Sequence, residues 1–199
     1  MMSDSSEKRG GRLPLAKYSA LTAAQKQLFD HLIDTWVPWA ESSGFQARSD
    51  DGRLIGPFNP ALLHPEISGS FLQLQSAEHL STSLPERVRQ VVILTVGAVW
   101  RAEYELYAHS AVARKAGLPD GSIQALANGS LPDDLSDQEK VAHNVARQLL
   151  VEHQLDEELY RKAERLFGSS GVLDVVLLTG IYCTVCALLN AFDIPAPHH

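Results

Sequence analysis

The chain has 199 residues, 45% of them hydrophobic and 21% charged, enough for one compact domain with a sizeable core. Its formal net charge is −7. That excludes the basic footprint of a nucleic-acid binder and argues against docking on anionic membranes. The opening MMSDSSEKRGGR carries no apolar segment of a signal peptide. It reads as a disordered tail over residues 1–12, ahead of a single domain over 13–199, and the expected location is the cytoplasm.

Helices follow in order, with almost no strand signal. Thr22 is an N-cap, and Gln25 completes a capping box. Leu28, Leu32, Trp36 and Trp39 repeat at helical spacing, and Pro38 should kink or end that helix. Residues 41–59 read as a loop, closing on the turn chemistry of Gly56-Pro57-Phe58-Asn59-Pro60. A second helix is expected from about Pro65 to Leu80. The next opens at Ser83-Leu84-Pro85-Glu86, with Ser83 as the expected cap. Its stripe of Val88, Val91, Val92, Thr95, Val96 and Val99 is β-branched, so a strand competes, but length and flanking caps favour a helix. Gly97 marks a bend or a close neighbour. The helical pattern resumes through Tyr104 and stops at Gly117. A short helix follows Pro119. Ser136 and Glu139 form a second capping box. Two further helices are expected, Asp156 to Phe167 and Val172 to Phe192. The class is all-α, a helical bundle.

From Val175 to Phe192 there are 18 residues without a formal charge, the lower limit for a membrane span. Thr179, Gly180, Thr184 and Asn190 interrupt it, and no Lys or Arg flanks it. The expectation is a helix buried in the core or in an oligomer interface, with no membrane partner.

Glu105 and His109 are four residues apart and share one helix face. A carboxylate beside an imidazole raises its pKa and orients it, which suits acid–base work. A solvated i,i+4 pair is the plain alternative, but this one sits in a strongly apolar stretch. Cys183-Thr-Val-Cys186 is a CxxC inside an apolar helix, read first as structural and second as a redox dithiol. No zinc set, GxGxxG, P-loop, HExxH or GxSxG motif is present, so neither a metal nor a cofactor is expected. His143 and His153 are expected on solvated faces. His198 and His199 carry no argument.

The run Leu84-Pro-Glu-Arg-Val-Arg-Gln-Val-Val-Ile-Leu, then Tyr104-Glu-Leu-Tyr-Ala-His109, then Ala113-Arg-Lys-Ala-Gly117-Leu, resembles the carboxymuconolactone decarboxylase family, within the superfamily of the AhpD-like hydroperoxidases. Arg12-Leu-Pro-Leu15, Gly56-Pro-Phe-Asn59, Gly180-Ile-Tyr182 and Leu189-Asn-Ala-Phe-Asp193 resemble further blocks of its larger branch. The resemblance implies an AhpD-like helical bundle that assembles as a homo-oligomer: dimer, trimer or hexamer. Peroxidase members carry a Glu, a CxxC and a downstream His. Aligned on His109, those positions fall on Gln90, Ala102 and Glu105, so the thiol machinery is absent there. Decarboxylase members keep Tyr-Glu-Trp-x-x-His, which Tyr104 to His109 follows with Leu106 in place of Trp. The resemblance therefore implies a cofactor-independent decarboxylase or lyase acting on a small carboxylated or lactone substrate. His109 would be the acid/base and Glu105 its support, with Gln90, Tyr104 and Arg101 binding substrate. Arg87 and Arg89 are the other candidate cations for a substrate carboxylate. A thiol hydroperoxidase using Cys183 and Cys186, and a non-catalytic small-molecule-binding oligomer, are the alternative functions.

Overall fold

In a computed structural model, residues 9–197 are described. They form a helical bundle with no strand, only an isolated antiparallel bridge between Arg48 and Leu54. The helices are α1 (Ala23–Asp34), α2 (Trp36–Ser43), α3 (Pro65–Ser81), α4 (Glu86–Trp100), α5 (Glu103–Lys115), α6 (Asp120–Ala127), α7 (Asp137–Glu152) and α8 (Glu157–Ala191).

Both capping boxes form as read, Thr22 with Gln25 and Ser136 with Glu139. Pro38 acts one turn upstream. Its ring cannot lie against the carbonyl of residue 34 in a continuous helix, and the chain breaks at Thr35. The long C-terminal helix also divides as expected, at Gly168 (φ 70°, ψ 169°).

The β-branched stripe is a helix because it is buried on all sides. Every residue from Val88 to Gly97 in α4 is buried, and α5, α6, α7 and α8 all pack on it. Stiff β-branched side chains lose little more entropy in such a core, so packing outweighs their strand preference.

Two expectations need correction. Ser83 does not cap α4; Pro85 does. The backbone N–H and hydroxyl of Ser83, with the Thr82 hydroxyl, instead donate to Asp174 Oδ2 at 2.9–3.0 Å, tying the α3–α4 corner to α8. His143 is not solvated: it is 3% exposed, with Nδ1 2.8 Å from Thr95 Oγ1 between α4 and α7. Thr95 donates its hydroxyl to Val91 O, so His143 must donate Nδ1–H. Burial, with Arg147 nearby, lowers its pKa to about 4 and keeps it neutral. The loop before Asn59 is present as read, and it is packed, with Phe45, Ala47, Leu54 and Ile55 buried in the main core. His153, by contrast, is exposed at the end of α7.

Residues 1–8 of the expected tail, and His198 and His199, lie outside the described residues. Of the remainder, Arg12 N–H donates to Phe192 O at 2.7 Å, laying this stretch against the end of α8. Asn59 then joins two sequence blocks. Its Oδ1 accepts from Ala16 N at 2.9 Å and its Nδ2 donates to Pro14 O at 3.3 Å.

Candidate active site

The α4–α5 corner sets the site. Arg101 adopts a left-handed conformation (φ 52°), and Ala102 N–H donates to Gly97 O at 3.0 Å. The two helices are joined by only two residues, so the first turn of α5 crosses α4 closely. Gly97 permits this approach: a Cβ there would lie 3.0 Å from Leu106 and 3.5 Å from Glu105. Glu105 and His109 are thereby pressed inward, at 3% and 5% exposure.

Glu105 Oε1 lies 3.3 Å from His109 Nε2, but it has no aligned hydrogen-bond partner. On the far edge of the ring, His109 Nδ1 is 2.8 Å from Gln90 Oε1. Gln90 donates Nε2–H to Glu86 Oε1 at 2.7 Å, which fixes its amide with the oxygen toward the ring. An amide oxygen only accepts, so His109 carries its proton on Nδ1 and turns a bare Nε2 toward Glu105.

Electrostatics agree with that tautomer. Burial pushes the Glu105 carboxyl up to about 8, and burial together with the Arg89 cation pulls His109 down to about 3. The expected rise of the His109 pKa beside a carboxylate is thus corrected. Desolvation of both charges outweighs their mutual attraction, and the pair is neutral, an acid beside a base.

Two neighbouring cavities share His109, Trp39 and Tyr182 in their linings. The Tyr182 ring stands edge-on to the imidazole at 5.0 Å between centroids, and Trp39 tilts against it at 6.4 Å. The outer chamber, about 430 Å³, is bordered by His31, His79, Glu78, Glu86, Arg89 and Gln90. The inner chamber, about 180 Å³, is walled by Trp36, Phe58, Phe71, Tyr104, Glu105 and Leu188. Helix α3 spans both.

Of the residues read from sequence, Glu105, His109 and Gln90 come together. Tyr104 contributes its ring to the inner wall, while its hydroxyl is held by Gln46 O at 2.5 Å. Arg101 is not brought to this cavity. It lines a separate groove with Arg12, Glu103 and Asp193. Arg87 is also turned away, donating to Glu139 Oε1 at 2.7 Å and Gly117 O at 3.0 Å. Arg89 is the arginine at the cavity, ion-paired with Glu78 and 3.4 Å from Glu86 Oε2. The sequence did not single out Trp36, Trp39, Glu78 or Tyr182 for this site. They converge from α1–α2, α3 and α8, and no local spacing marks them.

The cysteines are nearer the site than their sequence separation suggests. Cys186, fully buried, clusters with Val96 and Ala102, the latter being the position where the resemblance places a peroxidase cysteine. No disulfide joins it to Cys183. Burial raises both thiols, Cys186 strongly, and neither is a thiolate at neutral pH.

The family model named "Carboxymuconolactone decarboxylase family" matches residues 65–148, from the start of α3 into α7. That span holds Gln90, Glu105 and His109 and excludes both cysteines. The chain is therefore similar to that family over residues 65–148, less than half of its length. Its fold is that of the AhpD core. A peroxidase-related protein from Ralstonia eutropha JMP134, described as an alkylhydroperoxidase AhpD core, superposes with a TM-score of 0.72 at 15% identity, covering 94% of this chain and 93% of that one. A second peroxidase-related protein, from Silicibacter sp. TM1040, gives 0.70 at 16% identity over 99% and 96%. The debrominase Bmp8 in complex with 2,3,4-tribromopyrrole gives 0.67 at 14% identity over 89% and 93%. No functionally curated protein matches the sequence. Members of the superfamily thus place different chemistry on one fold, and the site decides what this one does.

Proposed function

We propose that the protein is a cofactor-independent acid–base catalyst acting on a small organic ring compound, such as an unsaturated lactone. Glu105 is the proton donor and His109 Nε2 the acceptor. The observation that carries this reading is the neutral, buried Glu105–His109 pair at the junction of two cavities, with Glu105 Oε1 lacking a hydrogen-bond partner. A buried carboxyl held protonated can deliver a proton to a carbanion or enolate that water would quench less selectively, and a neutral imidazole can take one away. Gln90 and Glu86 act through His109, as positioning residues that hold its tautomer.

Decarboxylation of a carboxylated lactone is the narrower form of the reading, supported by the Tyr104–His109 likeness and by the family match. Loss of carbon dioxide would leave an enolate that Glu105 protonates. A thiol peroxidase reading gains from the position of Cys186 beside Ala102, but its protonated, buried thiols oppose it. Assembly with further copies of the chain is part of the proposal. Leu173, Val176 and Leu177 project from α8 where its uncharged part begins, at 39–55% exposure, and such a stripe is suited to pairing with its own copy.

The test is turnover of unsaturated lactones, with and without a ring carboxylate, by the purified protein and by His109→Ala and Glu105→Gln. Both variants should lose activity while keeping the helical circular dichroism of the parent. Undiminished turnover in His109→Ala would sink the assignment, and saturable ligand binding without any turnover would leave a binding protein.

A further inference from the structure

The charges around the outer chamber select among ring compounds. We infer that this site takes an uncharged aromatic or conjugated ring and rejects a carboxylate on it, with Glu78 as the residue that sets this preference. The inference rests on the ring-binding cavity of the proposed function and narrows its substrate class to rings without a carboxylate, which sets the decarboxylation form of that reading aside.

Three arginines were candidates to receive a substrate carboxylate, and the fold removes two of them. Arg101 lines a distant groove, and Arg87 is held by Glu139 and Gly117. Arg89 remains, with its side chain 5% exposed, but it arrives already neutralised. Glu78, equally buried at 5%, reaches across from α3 to ion-pair with it, and Glu86 stands 3.4 Å from its Nε. The formal charge of these three groups is −1. The His109 imidazole is neutral, and so is the Glu105 carboxyl. An entering carboxylate would meet one attraction and two repulsions at similar range, in a setting where water screens poorly. A carboxylate at Arg89 would stand between Glu78, paired with Nη1, and Glu86, 3.4 Å from Nε.

The remainder of the site favours a flat, uncharged body. Trp36, Trp39, Tyr182, Phe58 and Phe71 line the inner chamber. Its roughly 180 Å³ exceeds the ~150 Å³ apolar cavity that is known to admit benzene. Aromatic walls gain most from a ring laid against them. Such a ring would sit beside His109 and Glu105 with nothing anionic to place near Glu78.

Benzamide and benzoate test this, since they share ring and shape and differ in charge. Binding is measured by isothermal titration at neutral pH on the wild-type protein, Glu78→Gln and His109→Ala. In the wild type, benzamide should bind at least about tenfold more tightly than benzoate. Glu78→Gln should bring benzoate up by about tenfold and move benzamide by less than about twofold. Thermal melting checks that this variant is folded, and Glu78→Asp, which keeps the charge, should keep the wild-type preference. Equal or tighter benzoate binding in the wild type would overturn the inference, as would failure of both probes to bind. So would an unchanged preference in a folded Glu78→Gln protein. The preference should persist in His109→Ala, and a wild-type protein that turns nothing over yet prefers benzamide would fail the catalytic reading without touching this one.

Discussion

His109 donates its Nδ1 proton to Gln90 Oε1 at 2.8 Å, and this one bond decides that the nitrogen facing Glu105 is bare. Without it the neutral ring could take the other tautomer and present an N–H to the carboxyl. With it, and with burial holding both groups uncharged, a bare nitrogen faces the acid. Several consequences can be measured.

Activity should be carried by the form with Glu105 protonated and His109 neutral. Its ionisations lie at about 8 and about 3. The pH profile of kcat/KM is expected to be level through neutrality and to fall above pH 8 with a single ionisation. A profile that rises through pH 8 would assign the carboxylate, not the acid, to the active form.

Stability should follow the same two groups with opposite signs. Glu105 has a folded pKa above its ordinary 4.5, so its contribution is complete at low pH and is lost as pH rises through about 8. His109 has a folded pKa below its ordinary 6.5, so its contribution is complete above 6.5 and is lost as pH falls toward about 3. Between 4.5 and 6.5 the two slopes cancel. From pH 6.5 to 8 the Glu105 slope stands alone, and denaturant titrations should show a loss of about 1–2 kcal/mol. Glu105→Gln should flatten that interval.

Gln90→Glu would put a carboxylate against His109 Nδ1, where the peroxidase relatives keep a glutamate. The histidine pKa is expected to rise by more than one unit, read from the imidazole Cε1–H resonance. The new charge also faces Glu86, whose bond from Gln90 is lost, so the fold should weaken by ~1–3 kcal/mol. An unmoved resonance would show that the amide does not control the ring.

Gly56 has φ +63°, and a Cβ there would come within 2.2–2.5 Å of the Tyr104 ring. Gly56→Ala is therefore strained in its backbone and displaces a wall of the inner chamber. A loss of ~2–4 kcal/mol in urea unfolding is expected, together with weaker ring binding.

Leu177→Arg puts a charge on the outward apolar stripe of α8. Light scattering should show the assembly dissociating while helical content is kept. A wild-type chain that is already a monomer would refute self-association.

Much of this architecture is legible along the chain. The capping boxes at Thr22 and Ser136, the stop at Gly117 and the interruption near Gly168 are local events, encoded within a few residues. Glu105 and His109 are legible too, because four-residue spacing on a helix makes a pair wherever the helix lies. The fate of Ser83 and of His143 was not legible. Each is decided by a partner far along the chain, Asp174 and Thr95. The positions of the arginines were hidden for the same reason, since Arg87 and Arg89 differ by two residues and face different neighbours.

The sequence by itself determined a helical chain, its likeness to one family and the spacing of Glu105 and His109. Helical periodicity, caps and motif spacing are short-range and survive in one dimension. Only the tertiary structure decided the protonation of that pair, because burial reverses what proximity alone would predict: a carboxyl and an imidazole taken out of water together discharge each other. It also decided that Arg89, already matched by Glu78, is the cation at the cavity.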